Sequence, residues 1–331
     1  MNRTEKTFIA LANLFPAWVL GGAGLALWKP ATATWFQPTW IPLFLGIIML
    51  SMGLTLSFDD FRRAFKIPRS VALGVGLQYT IMPILGFSLA KLFNLPMDYA
   101  IGIVLVACCP GGTASNVVCF IARTNIALSV SLTTVSTLIA VIMTPLLTTL
   151  LVESISIDLM GTGIQVNTLG LLISTFKVVI LPVTAGVLLN HFFSGWIKKI
   201  NPYTPFIAVL SIVFIVDFIL VVKKEEIFST GSSLIMAVVI LHTLGFILGY
   251  VLSKWLKFDE RNSQTISIEV GMQNSGLATE LARSNFPDFS LATVPGAISA
   301  LTHCILGSLA AGLCRLQGEK THPRRRRMER L

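Results

Sequence analysis

Glu269 is a carboxylate set inside an apolar stretch, between Ile268 and Val270, and it carries the most chemistry of any residue in the chain. An unpaired buried carboxylate costs several kcal/mol unless it is neutralised or coordinated. Its neighbours are oxygen donors: Gln273 and Asn274 follow four and five residues on, and Ser115, Asn116, Ser129 and Thr133 lie in the other half of the chain. Ser129 and Thr133 stand four apart, which puts both on one helix face. One carboxylate with hydroxyl, amide and backbone oxygens is a ligand set for a hard monovalent cation, and it holds too little charge for a dedicated calcium site. Sodium fits that set. The alternative is a protonated Glu269, hydrogen-bonded within a helix interface.

Other polar residues in apolar surroundings have two readings each. Gln78 precedes Pro83, a residue that can kink a helix and turn the amide toward a cavity. Lys177 either snorkels along its helix or binds a substrate carboxylate. Asp217 is either interfacial or a second intramembrane acid. His303 and His242 are cavity-lining groups or hydrogen-bonded packing residues. The five cysteines, 108, 109, 119, 304 and 314, lie in apolar runs without metal-ligand spacing and act as small apolar residues.

The elements that hold these oxygens are read from composition and from the length of the apolar runs, and both point to a membrane. The 331 residues are 54% hydrophobic and 12% charged, about half the charged share of roughly 25% in soluble domains. Runs of about 20 apolar residues, each able to cross a hydrocarbon core, fall at 8–28, 39–57, 70–93, 98–121, 125–152, 166–193, 204–222, 231–253, 262–284 and 290–314. Arg3 and Lys6 before the first run resemble a secretory signal, but no convincing cleavage site follows and Pro16, Trp18 and Trp28 suit a retained helix.

Ten spans divide into five and five, and an odd number per set makes the second set enter from the opposite side, as an inverted repeat. The expected fold is therefore an all-α polytopic membrane protein, with one repeat at 8–152, the other at 166–314 and a basic tail at 315–331. Pro110-Gly111-Gly112-Thr113-Ala114-Ser115-Asn116 interrupts the fourth span, and Gly271-Met272-Gln273-Asn274-Ser275-Gly276 interrupts the ninth at the corresponding position. Both breaks precede similar tails ending at Arg123-Thr124-Asn125 and Arg283-Ser284-Asn285. Broken helices persist at membrane depth only where protein or a polar cavity satisfies their backbone. Glycine-mediated helix packing is the other source of such motifs, but it does not require the clustered Ser, Thr, Asn and Gln side chains.

The net charge of +9 follows the loops. Nineteen of the 25 Lys and Arg fall at the two termini and in the loops after the second, fourth, sixth and eighth spans. Five (Lys29, Lys91, Lys223, Lys224 and Arg283) fall on the other side, and Lys177 lies within a span. The positive-inside rule puts both termini in the cytoplasm and makes the arginines at 324–327 a topogenic or lipid-facing cluster rather than a nucleic-acid site.

These motifs resemble the bile acid:sodium symporter family along nearly the whole chain. The resemblance rests on Met52-Gly53-Leu54-Thr55-Leu56 before Asp59-Asp60-Phe61, the run from Cys108 through Asn116, Ala127-Leu128-Ser129-Val130, and Ile268-Glu269-Val270-Gly271-Met272-Gln273-Asn274-Ser275-Gly276-Leu277-Ala278. It implies a panel and a core domain, with the fourth and ninth helices crossing at their breaks, in a bacterial inner membrane. It also implies two sodium ions: one at Ser115, Asn116, Ser129, Thr133 and Glu269, and one at Gln78, Glu269, Val270, Met272 and Gln273. An organic anion would lie near Thr113 and Asn274, with His303 at the tenth-helix position. Similar bacterial proteins carry Trp-His-Asn in the tenth helix and His-Asn in the eighth, where this chain has Thr302-His303-Cys304 and His242-Thr243. The missing amides bear on which anion is held, and family members carry small carboxylates, such as pantothenate-like and 2-oxo acids, as well as bile acids.

The function expected is sodium-coupled symport of an organic anion by alternating access. Proton coupling through Glu269 is the alternative. An intramembrane prenyl or lipid transferase would need a metal-diphosphate acidic motif, and Asp59-Asp60 beside Arg62 and Arg63 is too closely spaced for one. A channel would show sodium-independent flux.

Overall fold

The computed structural model describes residues 3–321, and the basic cluster at 324–327 lies outside them. Every regular element among the described residues is helical. The first apolar run folds as α1 (Arg3–Asn13) and α2 (Phe15–Trp28), with Pro16 in the opening turn of α2, where a missing N–H leaves no helix bond unmade. α3 (Ile41–Thr55) follows, then the short amphipathic α4 (Phe58–Lys66). Ser57 and Asp60 form a capping box at the start of α4: the Ser57 amide donates to Asp60 Oδ2 at 2.9 Å. The acidic pair that could have suggested diphosphate chemistry is thus at a helix N-terminus, where negative charge is favoured.

α5 (Pro68–Leu92) runs through Pro83 without ending. The fourth apolar run is divided into α6 (Met97–Cys108) and α7 (Ala114–Ala122), while α8 (Ile126–Met160) continues well past the expected end at 152. α9 (Thr168–Thr175) passes through a π turn at Phe176–Ile180 into α10 (Leu181–Phe192), and α11 (Ser194–Ile200) is short. α12 (Thr204–Val222) and α13 (Lys224–Trp255) precede the second divided run, α14 (Glu260–Gly271) and α15 (Ser275–Asn285). α16 (Val294–Thr321) is last.

Among the described residues seven helices are long and apolar enough to cross a membrane, and the shorter α2 and α6 are also apolar. The protein is therefore a multi-pass membrane protein. α12 packs on α2 and α3, and α3 packs on α10. α3 and α10 meet at two glycines: a Cβ on Gly186 would stand 2.6 Å from the Leu50 carbonyl oxygen and 2.7 Å from Gly53 Cα. Small residues allow this backbone approach where apolar lipid supplies no hydrophobic drive between helices. A second group packs α5 with α6, α8 and α13, and α16 with α13, α15 and α7. Lys177, in the π turn, is exposed. Asp217 on α12 is half-buried against Gly22 of α2, with Oδ1 lacking a partner among the described residues.

Candidate cation and substrate site

The two breaks lie against each other. The Gly112 amide donates to the Met272 carbonyl at 2.9 Å, and the Asn274 amide donates to the Pro110 carbonyl at 2.9 Å, so Gly111 and Gln273 form a single antiparallel bridge. Each break thereby takes up backbone groups released by the other, the condition for non-helical chain at membrane depth. Asn274 also caps α15, its Oδ1 accepting the Leu277 amide at 3.1 Å.

Glu269 ends up beside this bridge, only 4% exposed. Ser115 Oγ donates to its Oε1 at 2.6 Å, Thr133 Oγ1 donates to Oε2 at 2.8 Å, and Ser129 Oγ makes a close contact with Oε1. Ser129 Oγ also lies 2.7 Å from Asn116 Oδ1. Thr133 Oγ1 is 3.0 Å from the Ser129 carbonyl, the expected consequence of a four-residue step on one helix face. Three hydroxyls and an amide oxygen from α7 and α8 therefore surround one carboxylate from α14.

On the other side of the bridge, Gln78 Nε2 donates to Gln273 Oε1 at 2.8 Å and lies 3.3 Å from the Cys109 carbonyl. Gln273 Nε2 donates to the Val270 carbonyl at 3.1 Å. The buried Gln78 Oε1 has no partner among the described residues, so an acceptor aimed at this spot is left for a cation or water to satisfy. Among the described residues no three His, Cys, Asp or Glu groups converge in the manner of a transition-metal site. The carboxylate, hydroxyl and amide oxygens around Glu269 are hard donors of the kind that suit a monovalent cation such as sodium.

A cavity of about 310 Å³ opens between α3 and α12 on one wall and α7 and α8 on the other. Thr113 and Asn116 line it, with Ser51, Thr55, Thr134 and Asp60 adding polarity to a largely apolar wall. Asn116 thus faces the cavity and also touches the hydroxyls around Glu269. Asn274 and His303 are buried off this cavity; His303 Nε2 lies 3.1 Å from Ser275 Oγ. Thr55 belongs to the Met52–Leu56 motif but carried no site role in the sequence, and Ser51 and Thr134 belong to no motif; Ser51 and Thr55, four apart on one helix face, are the signal that could have pointed to this wall. A second cavity of about 360 Å³, lined by Pro38, Phe218, Lys223, Arg283, Phe289 and Thr293 among others, lies at the opposite end of α12, beside the C-terminal turn of α15. Arg283 is held there by a two-pronged pair with the buried Glu280, at 2.8 and 2.9 Å.

Residues 42–230 match the Sodium Bile acid symporter family. A protein of Arabidopsis thaliana named probable sodium/metabolite cotransporter BASS1, chloroplastic, is 45% identical over 311 residues, covering 94% of this chain and 75% of that protein. Rice probable sodium/metabolite cotransporter BASS2, chloroplastic, is 43% identical over 96% of this chain and 74% of its own length. The uncharacterized sodium-dependent transporter YocS of Bacillus subtilis is 42% identical over 298 residues, covering 90% of this chain and 89% of its own. With the family match spanning more than half of the residues and relatives aligned along nearly all of them, the chain belongs to the sodium bile acid symporter family.

Proposed function

We propose that this protein is a sodium-coupled symporter of organic anions that works by alternating access. The observation that carries the reading is Asn116, which lines the substrate-sized cavity and also contacts the hydroxyls that surround Glu269. An ion at that cluster offsets the Glu269 charge and orders the break that forms the cavity wall, so cation and anion each favour the same arrangement. Two ions are proposed, the first held by Ser115, Asn116, Ser129, Thr133 and Glu269. The second is held by Gln78, Glu269, Val270, Met272 and Gln273, some through backbone oxygens. The names of the plant and Bacillus relatives, sodium/metabolite cotransporter and sodium-dependent transporter, support sodium as the coupling ion.

The anion is proposed to sit beside the crossover, meeting Thr113 first, with the site extending toward Asn274 and His303. A cavity of about 310 Å³ is at the small end of the roughly 300–1,000 Å³ usual for small-molecule sites, which favours a small carboxylate over a steroid. The ten spans form two inverted repeats in this proposal, with α2, α3, α10 and α12 in a panel and the remaining spans in a core. Cavities at opposite ends of α12, both walled by panel and core, support a rocking motion between two mouths. Both termini lie in the cytoplasm in this arrangement, on the side of the Asp60 cavity.

Uptake of a labelled carboxylate panel into proteoliposomes separates sodium from proton coupling. At fixed pH, an inward sodium gradient is expected to drive accumulation of at least one small carboxylate, and replacing sodium by potassium to remove it. Accumulation that persists in potassium and follows a pH gradient would establish proton coupling through Glu269 instead.

A further inference from the structure

Behind the second break runs a buried chain of polar groups that the cation cluster does not include. His242 on α13 is 2.8 Å from the Gly271 carbonyl through Nδ1 and 2.8 Å from Ser299 Oγ through Nε2. Ser299 Oγ is 2.7 Å from Ser275 Oγ, Ser275 Oγ is 3.1 Å from His303 Nε2, and His303 Nδ1 is 4.0 Å from Cys304 Sγ. All five side chains are buried. They come from α13, α15 and α16, and the chain ends on the last residue of α14.

The bonding has one order that satisfies every member. A carbonyl only accepts, so His242 Nδ1 carries a hydrogen and, in the neutral ring, Nε2 accepts from Ser299. Ser299 then accepts from Ser275, Ser275 from His303 Nε2–H, and His303 Nδ1 faces the weak Cys304 donor. Such a fully satisfied buried network rigidifies the elements it joins. What it fixes is the Gly271 carbonyl, which lies beyond the hydrogen-bond ladder of its own helix. The other close neighbours of Gly271 from α13 are apolar: Phe246 abuts it, and a Cβ on Gly245 would stand 3.4 Å from Gly271 Cα.

We infer that His242 is a positioning residue for the cation site: by fixing the Gly271 carbonyl, it sets the flanking Val270 and Met272 peptide groups, while Ser299, Ser275 and His303 hold its ring in the required tautomer. This rests on the sodium-site proposal above. His242 touches neither ion nor anion. Without it the break samples other arrangements, and the population ready to bind sodium falls.

The test is the sodium concentration at half-maximal thermal stabilisation of the purified full-length protein, with potassium balancing ionic strength. His242→Gln, whose amide reaches the Nε2 position, is expected to raise that midpoint about tenfold, as loss of a buried hydrogen bond does. His242→Asn places a donor where Nδ1 stood and is expected to stay within about threefold of the natural protein. Equal midpoints for the Gln and Asn variants, or a Gln variant indistinguishable from the natural protein, would overturn the inference. Should His242→Gln not fold, Ser299→Ala is expected to raise the midpoint a few-fold, and an unchanged midpoint overturns the inference equally. A natural protein without any sodium shift, or a Glu269→Ala protein with the full shift, removes the ion site itself and this inference with it. A sodium shift that is lost in Glu269→Ala but insensitive to His242 and Ser299 overturns only the positioning role.

Discussion

Glu269→Ala is expected to abolish sodium-driven uptake while leaving the protein folded and inserted, and to weaken apparent sodium affinity more than about 100-fold. Glu269 is the only acid in the cluster, and the hydroxyls of Ser115, Ser129 and Thr133 converge on its two oxygens. Removing one member of a buried charge pair costs about 3–5 kcal/mol, and each 1.4 kcal/mol is a factor of ten. The sign of the stability change is diagnostic. In potassium the variant is expected to be at least as stable as the natural protein, because it no longer buries a carboxylate without its proposed counter-ion. In sodium the order reverses. Thermal unfolding in the two salts checks this, and a variant that retains full sodium-driven uptake would falsify the ion-site assignment.

Gly112→Ala is expected to have the next largest effect, through backbone approach rather than charge. A Cβ at residue 112 would stand 2.8 Å from the Gln273 carbonyl oxygen and 3.2 Å from its carbon. These are backbone atoms of the facing break, so no side-chain rotation relieves the contact. Overpacking of this kind costs about 1–3 kcal/mol, and here it also separates the Gly112 amide from the Met272 carbonyl. Lower thermal stability together with an approximately tenfold weaker sodium shift is the expected result. Gly76, where an added Cβ meets nothing within 4 Å, is the control: Gly76→Ala should leave both readings unchanged. Equal behaviour of the two variants would mean that the breaks do not depend on contact with each other.

Much of the candidate site's local structure was legible in the sequence because its signals are local. An acid inside an apolar run announces Glu269, a four-residue step aligns Ser129 with Thr133, and Pro110-Gly111-Gly112 predicts the end of α6 at Cys108. The apolar runs likewise located the helices, although α8 extends further than hydropathy suggested and the π turn around Lys177 left no mark in the pattern. Pairings across the fold were not legible. Nothing in one sequence tells that Gly111 lies opposite Gln273, or that Gln78 turns its amide nitrogen to Gln273 and leaves Oε1 without a partner among the described residues. The reading of His242 as a hydrogen-bonded packing residue holds, but its partners, Gly271 and Ser299, lie 29 and 57 residues away and could not be named from the sequence. Asp59-Asp60 was too closely spaced for diphosphate chemistry, and what Asp60 does instead, capping a helix, depends on Ser57 standing three residues before it.

The most direct test of sodium-coupled anion transport is the thermal stability of the purified natural protein in sodium against potassium at equal ionic strength, with small carboxylates and bile salts added singly. A ligand that binds only the folded state raises apparent stability by about 2.7 kcal/mol at a hundred times its dissociation constant. The predicted result is a sodium-specific rise, enlarged by at least one small carboxylate in sodium but not in potassium. Identical unfolding in the two salts, with any carboxylate effect independent of sodium, would contradict the account.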